Sequence, residues 1–322
     1  MERARTLPAL DGLRGLAALL VVLAHAANHE LGPRALEGAG RHGVFLFFVL
    51  SSFLLTRQLL DEQAAPRGTA GWTAWAGRRL LRVLPAYGVA VAAYGLLDQW
   101  TRERVVGHLT LTESWFHLWT IPVEVQAYAV LPLIACLHGL LGRSRSRTAI
   151  ALGIALVAAR LLAPPDYASG FPPFLFVFLG GALLACVPEG SRARLAGAGW
   201  PGLLLLLALL PGLHAALGGG PVERLRFHLW FEALTLGALG LLAAAASGQG
   251  LLSHILASPA LRALGRISYS LYLLHMLVLS RVLLHMGGAG EVVVWLVYLG
   301  MSLSLAFASE RLVERPFRAL GR

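Results

Sequence analysis

Residues 10–29 constrain the chain more than any other stretch. They are apolar throughout and long enough to cross a bilayer, whose hydrocarbon core of about 30 Å takes about 20 helical residues. Yet they hold Asp11 and Arg14 near the start and His25 near the end. At about 100° per residue, Arg14 and His25 share one helical face, about 16 Å apart along the axis. An ionisable side chain facing lipid costs several kcal/mol, so this face must point into a bundle or a wet cavity. The stretch therefore lines a site reached from both sides of a membrane.

The remainder of the chain agrees. Of 322 residues, 57% are hydrophobic and only 14% charged, against roughly 25% charged in soluble domains. Several apolar runs share this composition, which predicts an all-α, polytopic membrane protein with residues 1–322 as a single membrane domain and no fused soluble domain. The net charge of +10 comes almost wholly from arginine. It fits basic loops retained on the cytoplasmic side and not nucleic-acid binding, because no separate basic domain exists. Cys136 and Cys186 lie within apolar runs and read as buried thiols. Ala24, His25 and Ala26 imitate a signal-cleavage site, but the charges of the preceding run argue for an uncleaved first span.

About ten spans can be placed, near 10–29, 43–60, 83–100, 117–141, 148–163, 171–187, 202–217, 228–246, from 267, and 291–312. With a cytoplasmic N-terminus, the inside loops hold Arg57 through Arg82, Arg143 to Arg147, Arg192, Arg194, Arg262, Arg266 and the C-terminal arginines. Outside, basic residues are fewer and matched by acids, as Arg34 is by Glu37, Arg102 and Arg104 by Glu103, and Arg224 by Glu223. The positive-inside rule thus predicts both termini in the cytoplasm and a cell-membrane location. There is no internal repeat of the transporter kind.

Four constellations can carry chemistry. In the first, a neutral His25 can take a proton from a hydroxyl nucleophile near pH 7, while Arg14 holds an anionic group of a long substrate. In the second, Arg79 and Arg82 lie three apart on one face, beside Arg78, and two guanidinium forks at that spacing suit a phosphate or pyrophosphate; a topology anchor is the plainer reading. Pro85 then predicts a helix start or bend. In the third, Trp115 and Trp119 mark an interface, Glu124 lies in the span, and Tyr128 follows one turn deeper. Glu124 either orients His25 in a useful tautomer, binds a polar substrate, or makes a helix-packing hydrogen bond. In the fourth, Ser268, Tyr272 and His275 form a polar stripe that either bonds neighbouring helices or lines a polar ligand site. The eleven histidines are scattered and no metal set is expected. No nucleophile elbow, P-loop or dinucleotide fingerprint is present.

Taken in order, these pieces resemble acyltransferase family 3, integral membrane acyltransferases. The resemblance runs from Leu10 to Phe317. It rests on the stretch from Leu10 to Gly15 with His25; on Gly43 to Ser51; on Arg78, Arg79 and Arg82 with Pro85; on Leu118 and Trp119 leading to Glu124, Gln126 and Tyr128; on Ile267 to His275; and on Glu314, Arg315 and Pro316. Phe45, Ser52, Ile121 with Pro122, and Ala127 depart from the common pattern. The resemblance implies roughly ten helices, an acyl-CoA donor (acetyl-CoA foremost) acting as co-substrate, and no tightly bound cofactor. It implies as acceptor a hydroxyl of a sugar, surface polysaccharide, lipid-linked glycan or small natural product, and a requirement for Arg14, His25, Arg79 and Arg82.

Joined together, these readings make His25 the catalytic base and Glu124 its catalytic partner. Arg14, Arg79 and Arg82 bind the donor's phosphates, and Tyr128, Tyr272 and His275 line the substrate path, with all of these groups in one continuous passage. Direct transfer is the simplest route, because no serine or cysteine nucleophile stands beside the base. A proton-coupled transporter of a polar solute is the rival reading, since buried His, Glu and Arg also form relays. A subunit that transfers acyl groups only with a partner is a third.

Overall fold

The computed structural model describes residues 7–62, 64–113, 116–162, 171–216, 227–286 and 288–321, and every regular element among them is helical. Trp115, Glu223 and Arg224 lie outside these residues. The chain begins with α1 (Pro8–Ala27), α2 (Gly40–Leu59), α3 (Gly68–Leu97) and the short α4 (Arg102–Leu109). A 3-10 turn, Phe116–Trp119, leads into α5 (Thr120–Val130) and α6 (Pro132–Leu140). Next come α7 (Arg145–Leu162), α8 (Phe171–Cys186), α9 (Glu189–Arg192), α10 (Gly199–Ala208), α11 (Pro211–Ala216) and α12 (Phe227–Ser247). The chain closes with α13 (Gly250–Leu256), α14 (Pro259–His285), α15 (Glu291–Ser309), a π turn (Glu310–Glu314) and α16 (Arg315–Leu320).

The sequence predicts about ten crossings. Among the described residues, 7 helices are long and apolar enough to span a membrane, or 8 if the bent pair Phe171–Cys186 and Gly190–Ala208 counts as one span. The difference has local causes. Helix α7 carries Arg145, Arg147 and Arg160. The predicted seventh span is divided between α10 and α11 at Leu209 and Leu210, and the 10 residues of α10 rise only about 15 Å. Helix α3 also differs from expectation. It starts at Gly68 and keeps Pro85 inside an unbroken 30-residue helix, so the arginine cluster sits within the helix and not at its entrance.

Helix α1 occupies the core, flanked by α2, α12, α13 and α14. Small residues set this spacing. A Cβ on Gly12 would lie 1.5 Å from the Leu256 carbonyl oxygen, and one on Gly15 2.1 Å from that of Leu261. From the other side of the seam, a Cβ on Gly265 would lie 1.9 Å from the Asp11 carbonyl oxygen. The backbones therefore approach as closely as only glycine allows, the usual device for joining helices that gain no hydrophobic drive in lipid. Outer helices show the opposite pattern. Leu161 on α7 is 77% exposed and Val292 on α15 72%, apolar surface suited to lipid.

Two charge pairs join helices of the bundle. Asp98, which caps α3, binds Arg281 of α14 and accepts a hydrogen bond from Ser280 Oγ at 3.0 Å. Arg160 of α7 binds Glu232 of α12. Neither pair is evident from the sequence, because each joins helices far apart in the chain.

Candidate active site

Helices α1, α2, α3, α5 and α14 line an open cavity. Arg14 enters from α1, Arg79 and Arg82 from α3, Glu124 and Tyr128 from α5, and Tyr272 from α14, with Phe47 and Ser51 of α2 completing the wall. Arg14 leans on Asp11 at 3.4 Å. Arg79 donates to Gln58 Oε1, and its guanidinium lies 5.8 Å from the Trp75 ring centroid. Glu124 accepts from the Tyr128 hydroxyl at 2.6 Å and from Ser51 Oγ at 3.2 Å. Tyr128 reaches Glu124 because residues four apart share a helical face. Three guanidinium groups and one carboxylate in a partly apolar pocket suit a long ligand with an anionic end and amide donors along its arm.

His25 is not part of this lining. It stands at the other end of α1, half-buried, in a cluster with His117 and His275. Ring centroids are 5.0 Å apart for His25 and His275, 5.0 Å for His117 and His275, and 6.1 Å for His25 and His117. Each ring is committed to a backbone carbonyl. His275 Nδ1 donates to the Tyr272 carbonyl at 2.8 Å, leaving Nε2 bare. His25 Nδ1 lies 2.8 Å from the Val21 carbonyl and 3.2 Å from that bare nitrogen. Both neighbours are acceptors, so the network assigns the proton to His25 Nδ1 and leaves Nε2 as its basic atom. His117 Nε2 donates to the Leu273 carbonyl at 3.2 Å, and its Nδ1 has no hydrogen-bond partner.

One layer of side chains separates the two regions. Tyr272 lines the cavity, yet its ring centroid is 5.5 Å from that of His117 and 6.1 Å from that of His275. Its hydroxyl donates to the His117 carbonyl and accepts from Thr120 Oγ1 at 2.8 Å. Tyr94 braces this layer from α3, donating to the Leu273 carbonyl and accepting from the Leu277 N–H, each at 3.0 Å.

The structure thus brings Arg14, Arg79, Arg82, Glu124, Tyr128 and Tyr272 around one space, while His25 and His275 lie beyond Tyr272. Two expectations need correction. The cavity that holds the guanidinium groups does not have His25 in its lining: Tyr272 and Thr120 stand in its wall, hydrogen-bonded to each other and, through Tyr272, to the His117 carbonyl. Of the roles open to Glu124, orienting His25 is not seen: Glu124 Oε1 accepts from Ser51 and Tyr128, while His25 Nδ1 contacts the Val21 carbonyl and His275. His275, read as a ligand-lining residue, has 0% exposure and both nitrogens engaged. The sequence reading passed over His117 and Ser51. No spacing rule links His25, His117 and His275, which meet only through the packing of α1, the 3-10 turn and α14. Among the described residues, no group of three or more His, Cys, Asp or Glu is placed to hold a metal ion.

The family model for an acyltransferase domain, acyltransferase family 3, matches residues 7–311. O-acetyltransferase OatA of Staphylococcus aureus strain NCTC 8325 / PS 47 is 25% identical over 366 residues, covering 100% of this chain and 58% of the relative. OatA of S. aureus strain COL gives the same identity and coverage. The chain therefore spans 58% of the length of these relatives. No solved structure matches. With the family match covering nearly all of a helical bundle of membrane-spanning length, the chain belongs to acyltransferase family 3.

Proposed function

We propose that this protein is a cytoplasmic-membrane O-acyltransferase that moves an acyl group, acetyl foremost, from acyl-CoA to a hydroxyl of a glycan or small natural product. The observation that carries the reading is convergence. Arg14, Arg79, Arg82 and Glu124 come from three helices to one cavity, and its far wall, Tyr272, touches the histidine cluster. The O-acetyltransferase names of the relatives support acetyl as the transferred group. Coenzyme A is anionic at one end and carries its thioester at the other. The arginines hold its phosphates at the cytoplasmic mouth, in keeping with the basic inside loops and cytoplasmic termini expected from charge asymmetry. The Glu124 carboxylate accepts from the amide N–H groups of the pantetheine arm.

The acceptor approaches His25 from the opposite side, where that residue is half-buried and accessible. Nε2 takes the hydroxyl proton as the oxygen attacks the thioester carbonyl carbon. The C–O bond forms, the C–S bond breaks, and the imidazolium returns its proton to the departing thiolate. Partners meet across the Tyr272 layer, so the Tyr272–Thr120 contact opens for the thioester to reach Nε2.

Purified protein in lipid nanodiscs, given radiolabelled acetyl-CoA and candidate glycans, tests the proposal. His25→Ala should abolish transfer while eluting as the same folded species. Near-normal transfer by that variant would refute the base assignment. Solute-driven proton flux without acetyl-CoA would favour a transporter.

A further inference from the structure

The donor cavity does not end at its arginines. A second open space shares Arg14, Arg82, Ser268 and Tyr269 with it and extends outward to Arg266, Arg315 and Arg318. Three of its walls come from segments that the donor reading leaves unused: the start of α14, the π turn and α16.

The acids around this vestibule are already engaged. Glu314, 3% exposed, accepts from the Ser270 N–H at 3.1 Å and from Ser270 Oγ. Glu310 takes Arg318 at 2.6 Å and, more loosely, Arg315 at 3.8 Å. The π turn holds both carboxylates inward and brings α16 back against α3; such turns recur where a helix is adapted to a task. Arg266 is exposed and has no ion-pair partner among the described residues, and the Arg315 side chain is 67% exposed. The outer rim therefore presents guanidinium groups with unused donors, next to and distinct from the Arg79–Arg82 pair.

We infer that this vestibule is a phosphomonoester subsite, in which Arg266 and Arg315 hold the 3′-phosphate of the donor nucleotide while Arg79 and Arg82 hold its pyrophosphate. The inference rests on the acyl-CoA reading and deepens it. Coenzyme A carries these two anionic groups on either side of one ribose, so it requires two neighbouring cationic patches. A terminal dianion suits the wetter patch, where the exposed Arg266 and the loosely paired Arg315 bind without deep desolvation. A phospholipid headgroup offers the same chemistry, and the test separates the two.

The experiment compares acetyl-CoA with acetyl-3′-dephospho-CoA as donors. It uses the full chain in nanodiscs of phosphatidylcholine, with and without phosphatidylglycerol. Wild type should favour acetyl-CoA in kcat/KM by roughly tenfold. The double variant Arg266→Ala, Arg315→Ala should shrink that ratio to within about twofold. Size-exclusion elution checks that each variant is folded. A wild type indifferent to the 3′-phosphate, or a double variant with the full preference, overturns the inference while leaving the donor reading standing. An unchanged ratio with activity that differs only when phosphatidylglycerol is present assigns the patch to lipid and also overturns it. Transfer from neither donor removes the acyl-CoA reading and this subsite with it.

Discussion

Gly265→Ala should unseat the helix that carries the proposed machinery. A Cβ at this position would lie 1.9 Å from the Asp11 carbonyl oxygen, and the obstacle is backbone, which cannot rotate aside. Restoring a tolerable contact requires α14 and α1 to part by more than about 1 Å at that level. Overpacking of this kind costs about 1–3 kcal/mol. Parting the seam adds dispersion loss along it, so a total near 3 kcal/mol is expected. Gly153→Ala is the control: it sits within α7 with nothing inside 4 Å of its Cβ, and replacing an unencumbered helical glycine gains about 0.5–1 kcal/mol. The assay is the unfolding midpoint of each variant in one detergent, followed by acetyl transfer at a temperature where all are folded. Gly265→Ala should melt well below wild type and lose transfer, since displaced α1 takes both Arg14 and His25 with it. A Gly265→Ala midpoint equal to that of Gly153→Ala would refute the reasoning that close backbone approach sets this seam.

Arg79→Ala should raise the acetyl-CoA KM about tenfold and the double variant with Arg82→Ala about a hundredfold, with kcat at saturation little changed; an unchanged KM counts against phosphate binding there. Glu124→Gln keeps an acceptor for the Tyr128 hydroxyl and should remain folded, whereas Glu124→Ala leaves that buried hydroxyl unpaired and should cost about 1–3 kcal/mol, read as a shift in unfolding midpoint. His108 lies outside the spans, and burial holds its pKa below the ordinary 6.5, with Arg104 adding to the effect and Glu113 opposing it. Between 6.5 and that lowered value the unfolded chain binds a proton that the folded chain refuses, so stability should fall as pH drops through this window. His108→Gln should flatten the acid limb of the unfolding midpoint, and an unaltered limb would assign it to another group.

The sequence discloses whatever is local or periodic. Apolar length located the long helices but gave about ten crossings against 7 or 8, and the one-face rule placed Arg79 with Arg82 and Glu124 with Tyr128. The placement of Arg14 toward the bundle followed from the cost of charge in lipid. What stayed hidden depends on non-local packing. Gly12 and Gly15 look like a bare motif until Leu256 and Leu261 supply the carbonyls that exclude a Cβ. Pro85 suggests a helix start or bend, and the helix proves to start well before it, at Gly68. The histidine cluster needs α14 to meet the 3-10 turn before His117 acquires any meaning, and Glu314 gains its role only once the π turn presses it against Ser270.

On the proposed mechanism, the Tyr272 layer sets what the fold must do during turnover. A single open passage would let water reach the thioester from either face, and hydrolysis would compete with transfer. On the proposed mechanism, a barrier one side chain thick would keep donor and acceptor apart until both are present. The hydrogen bonds that close it are few: Thr120 to Tyr272, and Tyr272 to the His117 carbonyl. Thr120→Val removes the first and spares the second. If opening this layer limits turnover, that variant should raise kcat at saturating donor and should also raise acetyl-CoA hydrolysis without acceptor. Unchanged hydrolysis would mean that water is excluded elsewhere, and the Tyr272 contact would then be packing alone.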